Sequence, residues 1–383
     1  MSDATTDPVH YDLIIVGGGP AGSTLATVLA ERGWRVLILD KAAFPRDKTC
    51  AGWVTPEVLT TLGITSEAYA RDGRVLQPIH RFSIGLMGQA PCVNDHGGAP
   101  VSYGIRRCEF DHYLLARASV EKVLGESVND LTHEHGEWCV NGRYQAPWLV
   151  GAGGHFCPVA RLLGDGPGKH ELAVTAKEVE FRLQPEQVAA CAVAGDCPEL
   201  WFCRDLKGYA WVFRKGDYLN IGLGREDNHR LTEHLGEFVA MMQRTGRLPE
   251  SLPERYKGHA YLLYGHARRP LVAPGVCLIG DAAGLAYTQS GEGIRPAVES
   301  ALLAASALEE ASPGTTLYGY EAAVRKRFGV RGDEKRAPVP LPDWVRDTLV
   351  GPLMRSHWFT RKVVTERWFL HRQVPAMQRE KAG

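Results

Sequence analysis

The clearest hydrophobic pattern lies near the start of the chain. Residues 11–16 form a nearly unbroken apolar run rich in β-branched side chains, which is typical of a buried parallel strand. Residues 17–22 are rich in glycine, and residues 23–32 have the composition of a helix that ends before a glycine. A second apolar run follows at residues 35–39. The pattern predicts a strand, a tight turn, a helix and a second strand.

The glycine turn of this unit has the spacing of a dinucleotide-binding fingerprint. Gly17 permits the tight turn, Gly19 lets the backbone approach a pyrophosphate, and Gly22 lets the helix pack against the strand. The helix N-terminus presents free N–H groups to the phosphates. Asp40, at the end of the second strand, is placed to accept hydrogen bonds from ribose hydroxyls. The fingerprint predicts a dinucleotide site and leaves FAD and NAD as alternatives.

A similar strand–turn–helix pattern lies much further along the chain. Residues 275–279 are apolar and lead into Gly280 and Asp281. An aspartate at the carboxyl end of a strand can bind a chain of hydroxyl groups. A Gly-Glu-Gly-Ile turn at residues 291–294 precedes a helical run over residues 295–308. We expect this turn to aim a helix N-terminus at the anionic edge of a bound ring.

Composition and charge narrow the class of protein. The chain has 383 residues with 44 basic and 44 acidic side chains, so it has no net charge that would attract nucleic acid. No apolar run reaches about 18 residues, so we expect no transmembrane segment. The N-terminus is polar, and nine scattered cysteines favour a reducing compartment. These features predict a cytoplasmic protein, and no ligand spacing predicts a metal site.

Together the motifs resemble the FAD-binding fold shared by p-hydroxybenzoate-hydroxylase-like monooxygenases, flavin-dependent halogenases and geranylgeranyl reductases. Three further segments extend the resemblance to about residues 11–310. Residues 44–52 resemble the segment after the second strand in geranylgeranyl reductases. Residues 107–114 match the pattern R-x-x-F-D-x-x-L, and residues 208–224 resemble the aromatic substrate strands of that subgroup. The resemblance implies FAD as the cofactor.

The same resemblance implies an α/β fold with three parts. These are a discontinuous Rossmann-type FAD-binding domain, an inserted mixed β-sheet domain for the substrate, and a helical C-terminal region. The predicted boundaries are residues 1–70, 101–170 and 263–310 for the first part, 71–100 and 171–262 for the second, and 311–383 for the third. The implied FAD-binding residues are Gly17, Gly19, Pro20, Ala21, Gly22, Asp40, Lys41, Arg46, Cys50, Ala51, Arg107, Gly280, Asp281, Gly291, Gly293 and Ile294.

Cys50 and an aromatic strand are the candidates for the reaction itself. A cysteine followed by glycines lies near the flavin in geranylgeranyl reductases, and Cys50 with the two residues after it resembles that pattern. Its thiol could donate a proton to a substrate carbon, or it could be a small packing residue. Tyr209, Trp211 and Phe213 alternate along a predicted strand and put aromatic rings on one face. A substrate pocket and core packing are both open as explanations.

Two departures from the family patterns bear on the reaction. Gly153 stands where these proteins often carry an aspartate before a glycine, a pair associated with contacts to FAD and NAD(P)H. The electron donor is therefore left open between NAD(P)H, a ferredoxin and a separate reductase. Residues 209–214 do not match the W-x-W-x-I-P signature of the halogenases, which argues against halogenation.

The resemblance implies an FAD-dependent oxidoreductase that reduces a carbon–carbon double bond of an isoprenoid-like or other apolar substrate. A monooxygenase that hydroxylates an aromatic substrate is an alternative, and that substrate could be a peptide or a protein-bound tryptophan in quinone-cofactor maturation. A non-enzymatic FAD-binding redox protein is a third. The C-terminal region carries Trp344, Trp358 and Trp368 among basic residues. It predicts helices over the pocket, or a surface for peripheral contact with a membrane or a partner protein.

Overall fold

The computed structural model describes residues 7–164, 171, 173–227, 230–331 and 343–379, with the side chains of residues 343–348, Trp344 among them, outside that description. The strands are β1 (Val9–His10), β2 (Leu13–Val16), β3 (Val36–Asp40), β4 (Trp53–Val54), β5 (Leu76–Ile79), β6 (Arg81–Leu86), β7 (Cys92–Asp95), β8 (Ser102–Ile105), β9 (Glu121–Leu124), β10 (Leu131–Glu134), β11 (Glu137–Val140), β12 (Tyr144–Ala146), β13 (Trp148–Gly151), β14 (Ala173–Arg182), β15 (Glu199–Phe202), β16 (Gly208–Lys215), β17 (Tyr218–Arg225), β18 (Lys257–Leu262), β19 (Val272–Ala273) and β20 (Val276–Leu278). The α-helices are α1 (Pro20–Glu31), α2 (Pro56–Thr61), α3 (Ser66–Ala70), α4 (Arg107–Arg117), α5 (Pro158–Leu163), α6 (Pro185–Ala190), α7 (Leu231–Arg244), α8 (Ile294–Glu310), α9 (Tyr318–Phe328), α10 (Asp343–Met354) and α11 (His357–Phe359).

A six-stranded sheet carries the predicted glycine turn. Its strand order is β19-β20-β13-β2-β3-β9, and all neighbours are parallel except the edge strand β19. The fingerprint strand β2 lies between β13 and β3, and all four of its side chains are buried. Helix α1 follows directly, with Pro20 in its first turn, where a missing N–H costs nothing. The strand–turn–helix–strand prediction is confirmed.

A seven-stranded mixed sheet forms the second large layer. Its order is β18-β14-β17-β16-β15-β6-β7, antiparallel except for the β15–β6 pair. Leu219, Ile221 and Leu223 alternate along β17 and are buried in the core cluster that includes Leu235 and Phe238 of α7. The other face of this sheet is therefore free to face the parallel sheet.

Two smaller sheets complete the β structure. Strands β4, β8 and β5 form a three-stranded antiparallel sheet in the order β4-β8-β5. Strands β1, β12, β11 and β10 form a four-stranded sheet. The predicted division into domains stays a prediction, because secondary structure alone does not divide the chain.

The C-terminal helices pack on the edge of the seven-stranded sheet. Met354, Val364 and Phe369 enter the core cluster that contains side chains of β6, β15 and β16. Residues Thr360–Phe369 form a π-helical segment after α11. Beyond it, the carbonyl oxygens of Val374 and Pro375 accept hydrogen bonds from arginine side chains of α8 and α9. In the part of the chain that the structure describes, no helix combines the length and apolar character needed to cross a bilayer.

Candidate FAD site and substrate cleft

A cleft of about 620 Å³ lies between the carboxyl ends of the parallel strands and one face of the seven-stranded sheet. Dinucleotides bind at this position in open α/β sheets. The sequence-predicted residues that line the cleft are Gly17, Gly19, Pro20, Ala21, Asp40, Lys41, Arg46, Cys50, Ala51, Arg107, Tyr209, Trp211, Asp281, Gly291, Gly293 and Ile294. The predicted residues Gly22, Gly280 and Phe213 do not line it.

The three glycines of the fingerprint meet different constraints. Gly17 has a φ of 119°, and a Cβ there would lie 2.4 Å from the carbonyl oxygen of Ala152. A Cβ on Gly22 would lie 1.9 Å from the carbonyl oxygen of Gly17, so α1 approaches the turn this closely only with glycine. A Cβ on Gly19 would meet only the Arg46 guanidinium, at 3.5 Å. Gly17 and Gly22 close the turn, and Gly19 leaves the backbone accessible to a phosphate.

Asp40 holds the glycine turn with both carboxylate oxygens. Its Oδ2 accepts a hydrogen bond of 2.7 Å from the N–H of Gly18, and its Oδ1 accepts one of 2.9 Å from the N–H of Ala42. Each oxygen keeps a further lone pair for a ribose hydroxyl. Lys41 is exposed and lines the cleft next to this aspartate. The arrangement is suited to the adenosine end of a dinucleotide.

Two arginines that line the cleft share one carboxylate buried behind it. Arg107 makes two hydrogen bonds of 2.8 Å to Asp111, and Arg46 lies 3.4 Å from an oxygen of the same carboxylate. Burial opposes the charge on Arg107, but Asp111 and Cys50 together raise the pKa of this guanidinium. The cleft therefore keeps a fixed positive charge beside Cys50.

Lys48 adds a cation that has no carboxylate at ion-pair distance among the described residues. Its Nζ contacts Nε2 of His259, on β18 across the cleft. Burial lowers the pKa of Lys48 to about 8, although Asp281 opposes this shift. Burial and Lys48 lower the pKa of His259 to about 2, so the imidazole is neutral at physiological pH. An ammonium that faces a neutral ring is an arrangement that an anionic ligand would complete.

The second glycine-rich turn closes the opposite side of the cleft. Gly280 has a φ of 58° and packs near α1, since a Cβ there would lie 3.1 Å from that of Ala21. Its N–H donates to Ser300 Oγ at 3.0 Å, which ties the turn to α8. A Cβ on Gly293 would lie 2.8 Å from Oδ1 of Asp281, so the N-terminus of α8 stands beside this aspartate. The predicted hydroxyl acceptor and the predicted positive helix end thus lie side by side, and their contact with FAD stays a prediction.

Glu292, between the two glycines of this turn, is a buried acid that sequence reasoning did not single out. It lines the cleft, and neither carboxyl oxygen has a hydrogen-bond partner among the described residues. Burial raises the pKa of Glu292 to about 8, with Arg295 acting in the opposite direction. The cleft therefore contains a carboxyl group that is largely neutral near pH 7.

Aromatic rings form the end of the cleft near Cys50. Tyr209 donates a hydrogen bond of 2.5 Å to the carbonyl oxygen of Ser290, and its ring lies 6.0 Å from that of Trp211. Tyr261 of β18 lines the same wall. Phe213 lies on the same face of β16 but is 2% exposed and packs in the core, where its ring lies 6.3 Å from that of Trp53. Core packing therefore accounts for Phe213.

Several cleft residues were not predicted from the sequence, although some carry a signal. His259 and Tyr261 alternate on β18, whose register with β14 puts them in the cleft. Lys48 lies inside the segment 44–52 but has no spacing that marks it.

Gly153, which the sequence singled out, lines the cleft. A Cβ there would lie 3.3 Å from Cα of Cys157, so a larger residue would have to shift this neighbour.

The residues that line the cleft have the chemistry that FAD requires. The glycine turn and Asp40 suit the adenosine end, and Asp281 with the N-terminus of α8 suits the flavin end. Gly19 and the N-terminus of α1 would hold a pyrophosphate, and the ammonium of Lys48 lines the same cleft with no carboxylate partner among the described residues. The fold and the cleft thus define an FAD-dependent oxidoreductase.

Comparison with known proteins identifies the family. The FAD binding domain family matches residues 10–319. The chain belongs to this family, in the superfamily that contains geranylgeranyl reductases and p-hydroxybenzoate-hydroxylase-like monooxygenases. The predicted superfamily, fold class, FAD cofactor and oxidoreductase class are confirmed.

Two relatives and one solved structure show the extent of the similarity. Digeranylgeranylglycerophospholipid reductase 1 of Methanopyrus kandleri is 30% identical over 299 residues, which cover 70% of this chain and 77% of the relative. Menaquinone reductase of Mycolicibacterium smegmatis is 29% identical over 334 residues, which cover 80% and 78%. The crystal structure of a geranylgeranyl bacteriochlorophyll reductase-like protein from Thermoplasma acidophilum has a TM-score of 0.74 at 21% identity and covers 95% of this chain and 98% of its own. This last likeness concerns the fold.

Proposed function

We propose that the protein reduces a carbon–carbon double bond in an isoprenoid-like or similarly apolar chain. The observation that carries the proposal is the aromatic end of the cleft, where Tyr209, Trp211 and Tyr261 form a wall next to Cys50. Such a wall binds an apolar chain through contact area and dispersion, and it excludes water from the reacting atoms. The thiol of Cys50, which lines the same cleft, is a candidate proton source.

The shape of the cleft supports a long substrate. Phe156, Ala176 and His259 line both the cleft and an adjoining groove of about 560 Å³ along β14 and β18. Phe156 is 52% exposed, which leaves an apolar ring at the junction of the two spaces. A chain that reaches the aromatic wall can therefore continue into the groove.

The names of the relatives agree with this substrate class. One is named as a digeranylgeranylglycerophospholipid reductase and another as a menaquinone reductase. Both are similar to this chain over more than two thirds of their own length, with 77% and 78% covered. Because both relatives are named as reductases, we infer that this chain is also a reductase, and experiment must identify its individual substrate.

The residues of the cleft orient the substrate and supply the proton. FAD supplies a hydride when it is bound and reduced. The aromatic wall orients the double bond, and Cys50 Sγ–H delivers a proton to the second carbon, so that the product gains two hydrogen atoms. The Cys50 sulfur then regains a proton from solvent. Glu292 adds to the same cleft a carboxyl group whose pKa is raised by burial.

We infer that the electron donor is a reduced protein, such as a ferredoxin or a separate reductase. Gly153 supports this inference, because the acidic side chain that related proteins often carry there is missing. Cys157 also packs against the position that such a side chain would occupy. Anaerobic addition of NADH and NADPH to the FAD-bound protein tests the inference. We expect neither to bleach the flavin at a catalytically useful rate.

The reaction is tested with the FAD-reconstituted protein under anaerobic conditions, with dithionite as reductant and geranylgeraniol and menaquinone as substrates. The menaquinone ring, which dithionite itself reduces to the quinol, is reoxidised in air before the products are analysed. Mass spectrometry of the products measures the gain of two hydrogen atoms per reduced double bond. We expect Cys50→Ser to lose about 10²-fold in turnover while FAD binding is retained. The control is Cys108→Ser, a partly buried thiol that does not line the cleft.

Two outcomes would replace the proposal. A hydroxylated product that forms only with oxygen would identify a monooxygenase, the alternative that shared superfamily membership supports. A flavin that reduces and reoxidises without converting any apolar or aromatic substrate would favour a non-enzymatic redox protein. Full activity of Cys50→Ser would leave the reduction in place but would remove Cys50 from it.

A further inference from the structure

Asn220 of β17 is the centre of a buried hydrogen-bond network beneath the cleft. It is 1% exposed and does not line the cleft. Its Nδ2 donates to the carbonyl oxygen of Cys50 at 3.0 Å and to Glu178 Oε2 at 2.6 Å. Its Oδ1 accepts a hydrogen bond of 2.7 Å from Nε1 of Trp211. We refer to Asn220 and these three partners as the Asn220 hub.

The chemistry of the partners fixes the orientation of the amide. An indole N–H only donates and a backbone carbonyl only accepts, so a flipped amide would lose the bonds to both Trp211 and Cys50. Glu178 is 5% exposed and holds the second N–H of the amide. Three of the four hydrogen bonds available to an asparagine are therefore made to three different segments of the chain.

The position of Trp211 is fixed by packing as well as by this hydrogen bond. Gly222 of β17 is paired in register with Trp211 on one side and with Glu178 on the other. A Cβ on Gly222 would lie 2.2 Å from Cζ2 of the indole, so the ring lies across this glycine. The indole is thus held by a glycine under its ring and by Asn220 at its nitrogen.

The alternation of β17 explains why a polar residue lies here. Leu219, Ile221 and Leu223 belong to the core cluster that contains α7 residues, which puts the side chain of Asn220 on the opposite face. That face carries Trp211 on β16 and Glu178 on β14. A buried amide is costly unless it is hydrogen-bonded, so its presence requires the partners that the hub provides.

We propose that Asn220 is a positioning residue that fixes the Cys50 loop and the Trp211 wall relative to each other, and thereby sets the geometry of the space where flavin and substrate meet. The Cys50 loop comes from the segment after β3, and Trp211 comes from the seven-stranded sheet. Asn220 is the side chain that bonds to both. Its effect on the Cys50 loop is an effect on FAD binding, and family membership establishes FAD as the cofactor. Its effect on Trp211 rests on the proposed function.

The test compares Asn220→Ala, Trp211→Phe and the double variant with a matched control. The control is Asn94→Ala, because Asn94 is 3% exposed, lies in the same sheet and bonds to Thr360 at 3.0 Å away from the cleft. We expect the dissociation constant of FAD to rise about tenfold in Asn220→Ala, since the hydrogen bond that holds the Cys50 loop is lost together with the other two. It should change by less than about twofold in Trp211→Phe and Asn94→Ala.

The substrate arm of the experiment is a double-mutant cycle on KM. Asn220→Ala and Trp211→Phe should each raise the KM of the apolar substrate, and the double variant should raise it by less than the product of the two factors. Additive effects would show that Asn220 does not act through Trp211. An unchanged FAD dissociation constant in Asn220→Ala, relative to Asn94→Ala, would overturn the positioning of the Cys50 loop. If no apolar substrate is reduced, the proposed function fails, and the FAD measurement still tests Asn220.

A second variant keeps the inference testable if Asn220→Ala does not fold. Asn220→Asp has the same shape and still accepts the Trp211 N–H. Its second oxygen meets Oε2 of Glu178, so the two carboxyl groups share one proton, and no N–H or O–H is left to donate to the Cys50 carbonyl. We expect weaker FAD binding by about tenfold with little change in KM. The reverse result, with KM raised and FAD binding unchanged, would contradict the proposal that Asn220 affects FAD through Cys50 and the substrate through Trp211.

Discussion

Lys48 places an ammonium group inside the cleft where no carboxylate of the described chain pairs with it. Burial lowers the pKa of Lys48 from 10.5 to about 8, so between pH 8 and pH 10.5 the unfolded chain binds more protons than the folded chain. Near pH 7 the ammonium is charged in both states, and its burial destabilises the folded apoprotein. We expect Lys48→Met to stabilise the apoprotein by about 1 to 2 kcal/mol and to weaken FAD binding at least tenfold. Urea unfolding and FAD titration measure the two effects.

Lys362→Met is the matched control for this prediction, because Lys362 is 53% exposed and lies in the C-terminal region. It should change neither quantity by more than a few tenths of a kcal/mol, about the value of one exposed ion pair. If Lys48→Met instead destabilised the apoprotein and left FAD binding intact, Lys48 would be a structural residue.

Glu292 gives the apoprotein a pH dependence of known sign. Its pKa is about 8 in the folded chain against an ordinary value of 4.5, so the folded chain holds a proton that the unfolded chain releases between these values. Its contribution therefore makes stability fall as the pH rises from 4.5 to 8. We expect Glu292→Gln to be more stable than wild type by about 2 to 5 kcal/mol at pH 8, and by much less at pH 5.

Urea unfolding of both apoproteins at the two pH values measures this difference, and other titrating groups cancel in the comparison. An equal difference in the free energy of unfolding at both pH values would contradict the raised pKa. It would mean that the Glu292 carboxylate is stabilised in the folded chain and has a pKa near its usual value of 4.5.

At the residue scale, the sequence predicted the groups whose roles are local. The glycine turn defines the roles of Gly17, Gly22 and Asp40 through contacts within one short segment. The spacing of a motif reveals roles of this kind. Lys48 and Asn220 depend on partners more than a hundred residues away in the chain, His259 and Cys50 respectively. No local spacing encodes such a pairing, so only the fold reveals it.

Among the elements, helix α1 offers the sharpest test of the turn. A Cβ on Gly22 would meet backbone atoms of Gly17, which cannot move without opening the turn. We expect Gly22→Ala to destabilise the protein by about 3 kcal/mol or more and to abolish FAD binding. The control is Gly236→Ala in the interior of α7, where a Cβ would meet nothing within 4 Å.

Gly236→Ala should stabilise the protein by about 0.5 to 1 kcal/mol, because alanine is the better helix former. Thermal unfolding and FAD titration of both variants measure the contrast. Retained FAD binding in Gly22→Ala would show that α1 can move away from the turn.

The predicted elements agree with the structure in type and differ at their ends. Helix α1 begins at Pro20 and not at residue 23, because proline is accepted in a first helical turn. Helix α8 runs over Ile294–Glu310, close to the predicted 295–308. The β-strand pairing was less predictable: β6 joins β15 in parallel, although more than a hundred residues separate them. Hydrophobic period sets the element type, whereas long-range packing sets the order of strands.

For the whole molecule, the C-terminal region offers an exposed apolar surface, which we define by Leu349, Leu353 and Trp358. These side chains are 51%, 43% and 68% exposed. Arg355 and Lys362 are exposed cations in the same region. We propose that this surface makes peripheral contact with a lipid bilayer, from which an apolar substrate would be drawn.

Vesicle sedimentation tests this contact. We expect Trp358→Ala to reduce binding to vesicles of phosphatidylglycerol and phosphatidylcholine about fivefold, because a buried tryptophan contributes about 1 kcal/mol or more at the interface. Tyr318→Ala is the control, since Tyr318 is 70% exposed and lies on α9, outside the defined surface. Equal loss in both variants, or no binding by wild type, would contradict the proposal.

The most direct test of the whole account is a single turnover of the reduced protein. The FAD-bound protein is reduced anaerobically with one equivalent of dithionite and is then mixed with an apolar substrate such as geranylgeraniol. We expect the flavin spectrum to return to the oxidised form at the same rate as one double bond per flavin is reduced. A flavin that stays reduced with every apolar substrate, and reoxidises only when oxygen is admitted, would contradict it.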